Sequence, residues 1–172
     1  MPSTYTLISS NVLSTTAASV TFSAIPGTYT DLVLRWSARC NRATFTNMMG
    51  IQFNSITGAS STTYLEGDGS SASSSRNTGL NVNYVGYLPG ADQTNNTFAN
   101  GELYIPNYAG STNKPSSSFN GSENNSASTQ VFLDVFAGLV SNTAAVTSLT
   151  LAPLSTSFVS GSSFYLYGIL KS

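Results

Sequence analysis

Apolar and polar residues alternate with a period of two along most of this chain, in short runs broken by clusters of Ser, Gly, Asn and Pro. Such alternation sends successive side chains to opposite faces of a pleated strand, so it predicts antiparallel sheet with one face on a core. Tyr5 to Ile8 and Val20 to Phe22 are the first two runs, and Pro26-Gly27 then reads as a turn. The pattern is clearest from Asp31 to Ala38, where Leu32, Leu34, Trp36 and Ala38 alternate with Val33, Arg35 and Ser37. That spacing puts Trp36 in the core with Leu32 and Leu34. Met49, Ile51 and Phe53 alternate with Gly50, Gln52 and Asn54, and Thr62 to Leu65 forms a short fifth run. Leu80, Val82 and Tyr84 alternate with Asn81 and Asn83 before Leu88-Pro89-Gly90 ends the run. Phe98 to Ile105 and Gln130 to Val140 supply two further strands, with Pro106 and Gly138 punctuating their ends. Val146, Leu149 and Leu151, then Phe164 to Leu170, complete a hairpin-like pair around Pro153 and Gly161, with Phe164 and Leu166 facing inward and Tyr165 and Tyr167 sharing the other face.

Two segments interrupt the alternation. Between Glu66 and Gly79 the chain is Gly, Asp, Ser and Ala, too poor in apolar residues to pack, and reads as an exposed loop. From Tyr108 to Thr129 it is Ser, Asn, Gly and Lys with a single Phe119, which reads as a second long loop; loops of that length in a compact domain are usually functional or at an interface. No window carries sustained helical spacing, and no internal repeat suggests a propeller or β-helix. Nine or ten evenly spaced strands therefore predict one all-β domain over residues 1–172 with a short N-terminal segment. The expected architecture is an antiparallel two-sheet sandwich of jelly-roll or related Greek-key type. An immunoglobulin-like sandwich is the alternative, although the paired cysteines that would argue for it are absent.

Composition narrows the function. A chain of 172 residues can bury roughly 70% of the surface of its unfolded form. Charged residues make up 8% against a usual share of about a quarter, so the surface is neutral and rich in hydroxyls. Nine Tyr, nine Phe and one Trp supply the bulky groups that disordered chains lack. The net charge is -1, with the basic residues scattered except for Arg35, Arg39 and Arg42, whose spacing reads as a solvated patch. Nucleic acid, which requires clustered Lys and Arg, is not an expected partner. The first residues have neither a basic nor an apolar segment of a secretion signal, and no apolar run approaches bilayer length, so synthesis in the cytoplasm of the producing cell without membrane insertion is expected.

The chain contains no histidine, which removes the commonest general base, the usual triads and most zinc sites. Nor does any side chain with an ordinary pKa switch its charge between about pH 5.5 and 8, leaving only the terminal amine and strongly shifted groups. Seven carboxylates remain: Asp31, Glu66, Asp68, Asp92, Glu102, Glu123 and Asp134. A glycosidase pair among them is compatible with spacing, but a non-enzymatic chain without catalytic, metal or cofactor residues is the expectation. Glu66-Gly67-Asp68-Gly69 lacks the further spaced ligands of a calcium loop and reads as a polar turn. Cys40 has no histidine to activate it and reads as a small packing residue. Sequons such as Asn95-Asn96-Thr97, Asn120-Gly121-Ser122 and Asn124-Asn125-Ser126 arise by chance in so Asn- and Ser-rich a chain. Tyr84, Tyr87, Tyr104 and Tyr108 can be read as a sugar-stacking platform, but packing within or between the sheets is the preferred reading.

Several stretches resemble proteins of tailed bacteriophages: Ser19 to Leu34, including Ala24-Ile25-Pro26-Gly27-Thr28-Tyr29-Thr30-Asp31; Tyr84-Val85-Gly86-Tyr87-Leu88-Pro89-Gly90-Ala91; Glu102 to Tyr108; and the ending Phe164-Tyr165-Leu166-Tyr167-Gly168-Ile169. The likeness runs from Tyr5 to Ile169. It implies a jelly-roll on the exterior of the virion, often a homotrimer, of the decoration, cement or fibre-tip type, and it hands over no catalytic residues. Implied partners are the major capsid protein or another virion protein, and a host surface glycan if the domain is an adhesin. Capsid decoration is the preferred expectation because neither a shaft repeat nor heptads precede the first strand; a receptor-binding domain of a tail or head fibre is the alternative.

Overall fold

The computed structural model describes residues 4–126 and 130–170. They form twelve strands and no helix: β1 (Tyr5–Val12), β2 (Val20–Phe22), β3 (Asp31–Ala38), β4 (Thr46–Phe53), β5 (Ser60–Gly67), β6 (Ala72–Leu80), β7 (Asn83–Pro89), β8 (Ala99–Ile105), β9 (Lys114–Gly121), β10 (Leu133–Val140), β11 (Leu149–Pro153) and β12 (Ser163–Ile169). All pairings are antiparallel. Eight strands form one sheet in the order β1-β12-β3-β8-β9-β10-β5-β6, and four form the other, β2-β11-β4-β7. Early strands pair with late ones, β1 with β12, β2 with β11 and β5 with β10, the nested wrapping of a jelly-roll sandwich.

The alternating runs do as expected where their inner positions are apolar. Leu32, Leu34 and Trp36 of β3, Met49, Ile51 and Phe53 of β4, and Phe164 and Leu166 of β12 are all buried in one core between the sheets. Cys40 is buried in that core as a packing residue, and burial pushes its thiol pKa up. Several expectations need correction. The segment read as a loop from 66 to 79 is a hairpin, β5–β6, closed by Asp68, whose Oδ1 accepts hydrogen bonds from the Ser70 and Ser71 amides at 2.9 and 2.7 Å. Its strand β6 is a polar sheet edge, which needs no apolar face. The hairpin-like pair near the C-terminus does not exist: β11 and β12 lie in opposite sheets, because both faces of the core need covering. Gly138 lies inside β10 rather than ending it, since a Cβ there would stand 2.7 Å from Ser116 Oγ.

The second supposed long loop contains β9, for an instructive reason. Its inner positions are Lys114, Ser116, Ser118 and Asn120, all buried, while Phe119 faces out. The pattern is inside out because β7 is the free edge of the smaller sheet and lies over β9 and β10. Its unpaired backbone groups are taken up by side chains of the larger sheet. The Tyr84 amide donates to Thr62 Oγ1 (3.2 Å), and the Tyr87 amide to Asp134 Oδ2 (3.3 Å). Ser118 Oγ donates to the Val85 carbonyl (2.9 Å) and Asn120 Nδ2 to that of Tyr87 (2.9 Å). The approach is so close that a Cβ on Gly86 would lie 2.5 Å from the Asn120 side chain. The strand there begins at Asn83, so the supposed run through Leu80 and Val82 is broken by a turn at Asn81–Val82, and the buried positions are Asn83 and Val85.

Arg39 corrects the reading of the arginines. It is buried, not solvated, and its guanidinium donates to the carbonyls of Gly90 (2.7 Å), Gln93 (3.1 Å), Thr94 (2.6 Å) and Thr97 (3.1 Å), tying down the β7–β8 connection. Lys114 does the same for the carbonyls of Gly110 and Thr112. Burial lowers the pKa of both cations. Hydrogen bonds from a charged donor contribute about 1.5–3 kcal/mol. Arg39→Met should therefore shift the chemical denaturation midpoint by the equivalent of about 3 kcal/mol; an unchanged midpoint would mean that the loop holds itself.

Candidate functional site

The outer face of the eight-stranded sheet is uncovered by the smaller sheet and carries side chains that burial has not claimed. The register lines up one transverse row across six strands: Leu65, Val135, Phe119, Glu102, Arg35 and Tyr165. Leu65, Phe119, Val135 and the neighbouring Leu133 are each half exposed or more. Directly opposite residues on one sheet face stand about 5 Å apart at Cβ, so they form a continuous surface. Towards β1 the row turns polar and aromatic. Arg35 Nε donates to Glu102 Oε2 at 2.7 Å, and the guanidinium carbon lies 5.7 and 5.8 Å from the ring centres of Tyr5 and Tyr167. Hydrogen bonding to Glu102 raises the Arg35 pKa further above its ordinary value. Tyr104 donates to Asp31 Oδ2 at 2.9 Å on the same face, and this bond follows desolvation among the causes that raise the tyrosine's pKa.

Two hollows flank Phe119. One of about 290 Å³ is lined by Arg35, Trp36, Asn100, Gly101, Glu102 and Phe119. The other, about 560 Å³, shares Asn100 and Phe119 and runs past Gly121 and Leu133 to Asp68 and Glu123. The glycines explain its openness: a Cβ at Gly121 would touch nothing closer than Leu133 Cδ1 at 3.6 Å.

Beneath this face lies a buried polar cluster. Trp36 Nε1 donates to Asn120 Oδ1 (3.1 Å), and Asn120 Nδ2 donates to Asp134 Oδ2 (3.0 Å). Asp134 pairs in register with Glu66, and Asp134 Oδ1 and Glu66 Oε2 are buried without a hydrogen-bond partner. Desolvation pushes the Asp134 pKa up to about 6, with the Glu66 charge adding to it against the lowering effect of the Asn120 and Tyr87 hydrogen bonds. Burial, and then the carboxylate of Glu66, push the Tyr87 hydroxyl well above its ordinary range.

The four tyrosines considered as a platform are not brought together. Tyr108 is fully buried and donates to the Pro26 carbonyl. Tyr84 and Tyr87 are half-buried on β7, where Tyr87 stacks on Phe132 at 4.6 Å. Tyr104 stands apart on the outer sheet face. The aromatic residues that do share that face, Tyr5, Phe119, Tyr165 and Tyr167 beside Tyr104, come from four distant parts of the sequence. Their signal was the outward position of each in its strand, which joins them only once strand order is known. Glu66 and Asp68 are engaged separately, by Ser73 and by the hairpin turn. Among the described residues no cluster of three or more His, Cys, Asp or Glu could hold a metal ion.

No family model and no curated protein matches this chain. Among the solved structures that match is the crystal structure of a galectin, LEC-6, from Caenorhabditis elegans, at 11% identity and a TM-score of 0.35, covering 94% of this chain and 96% of that one.

Proposed function

We propose that this chain is a non-catalytic building block of the exterior of a tailed-phage particle, acting by contacts with copies of itself and with a major capsid protein or another virion protein. What supports the reading is the edge strand β1. An unpaired edge bearing large apolar side chains invites another chain, and monomeric proteins blunt such edges. The other described edges are blunted: β6 carries Ser73-Ser74-Ser75-Arg76, β2 has three residues, and β7 is covered by the polar side chains of the larger sheet. β1 instead leaves Leu7 51% and Val12 62% exposed. A homotrimer closed through β1 buries these residues. Bound to an assembled shell and not to its free subunits, such a block stabilises the shell by mass action.

Light scattering on the purified chain should give the mass of a trimer, and Leu7→Lys with Val12→Lys should give a monomer. The parent's mass should not respond to salt, since with 8% charged residues there is little for ions to screen. A monomeric parent would overturn the reading. Capsid decoration and a fibre tip are separated by copy number in purified particles, which follows the capsid lattice in the first case and the number of fibres in the second.

A further inference from the structure

We propose that the hollow around Phe119 binds a neutral glycan, the ring stacking on the apolar face of one sugar while Arg35, Glu102 and Asn100 hydrogen-bond its hydroxyls. Phe119 is 50% exposed although it sits mid-sheet. No core contact accounts for that position, and an exposed aromatic ring within a concavity is a common mark of a binding surface. The polar groups beside it are unspent. Arg35 uses Nε on Glu102, while its two Nη groups, the second Glu102 oxygen and the Asn100 side chain have no hydrogen-bond partner among the described residues. Together they offer both donors and acceptors, the combination that vicinal hydroxyls, each both donor and acceptor, can satisfy.

Charge selects among ligands. The Arg35 guanidinium is already neutralised by Glu102, and the adjoining trough ends in the carboxylates of Asp68 and Glu123. A phosphate or sialic acid meets no free cation there and two like charges, so nucleic acid and acidic sugars are disfavoured. The hollows, about 290 and 560 Å³, lie at or within the usual range of ligand sites, roughly 300–1,000 Å³. Phe119 lies four strands from β1, roughly 19 Å at the usual strand spacing. Association through β1 therefore leaves Phe119 and the larger hollow beside it open, and a trimer presents three of them, which raises avidity for a dense glycan surface.

The test is binding of the purified chain to an immobilised panel of neutral and sialylated oligosaccharides, with any bound sugar then titrated in solution. Trp36 lines the hollow and is the chain's single tryptophan, so its fluorescence reports occupancy. Neutral glycans should bind and sialylated ones should not. Phe119→Ala should weaken binding about tenfold or more with an unchanged melting curve, because the ring faces away from the core, and Phe119→Trp should preserve binding. No binding across the panel, preferred binding of sialylated sugars, or a Phe119→Ala variant that binds like the parent would each overturn the proposal. In the solution titration, where avidity plays no part, the β1 variants should bind each sugar with the affinity of the parent, so a failure of the trimer and a failure of the glycan site are read separately.

Discussion

Trp36→Ala should lower the melting temperature by on the order of 10 °C. Trp36 is 3% exposed and its ring spans Gly101 to reach Asn120. Truncating a buried aromatic residue leaves a cavity and costs about 3–5 kcal/mol. Here it also leaves Asn120 Oδ1 without its donor in the buried cluster, at about 1 kcal/mol or more. For a domain of this size each kcal/mol moves the midpoint by roughly 2–4 °C. Trp36→Phe fills most of the space but lacks the N–H, so it should fall between parent and Trp36→Ala in calorimetry. If the alanine variant melts within a degree or two of the parent, Trp36 does not hold the two sheets together. The same packing makes Gly101→Ala disruptive, because its Cβ would lie 2.3 Å from the indole ring.

Stability should fall by about 3 kcal/mol as the pH rises from about 4 to about 7. The group responsible is Asp134, fully buried, whose pKa is raised from 3.8 to about 6 chiefly by desolvation. A carboxyl that holds its proton more tightly in the native state than in the unfolded one makes the native state the better proton binder between those two values. Stability is therefore greatest below the unfolded pKa and declines until the folded pKa is passed. Each tenfold change in proton affinity is about 1.4 kcal/mol, which sets the size of the decline. The surroundings agree: Glu66 stands opposite in register, the Tyr87 amide and Asn120 Nδ2 donate to Oδ2, and Oδ1 has no partner. Asp134→Asn should flatten the profile and be more stable than the parent at pH 8, measured by denaturant unfolding across the range. A flat parent profile, or a variant that keeps the slope, would remove Asp134 as the cause. A chain without histidine was expected to change no side-chain charge between about pH 5.5 and 8 unless it held a strongly shifted group; burial of Asp134 supplies one, titrating near 6.

Period-two alternation with apolar inner positions suffices to place β3, β4, β8 and β12, because each strand meets the core through side chains that water excludes and the pattern is local. The buried positions of Trp36, Phe164 and Leu166 follow from it directly. Lack of histidine and of charge likewise belongs to the composition and needs no fold. The tertiary structure decided what β9 would be. Lys114-Pro115-Ser116-Ser117-Ser118-Phe119-Asn120-Gly121 reads as loop because its inner face is polar, and that face is polar because it hydrogen-bonds the free edge of β7 rather than packing on apolar side chains. Arg39 and Lys114 look like surface cations until loop carbonyls are folded around them. The candidate site has the same origin. Arg35, Glu102 and Phe119 lie far apart in the sequence and become neighbours only when the order β3-β8-β9 is set, and that order is fixed by long-range strand pairing, for which alternation within single runs carries no information.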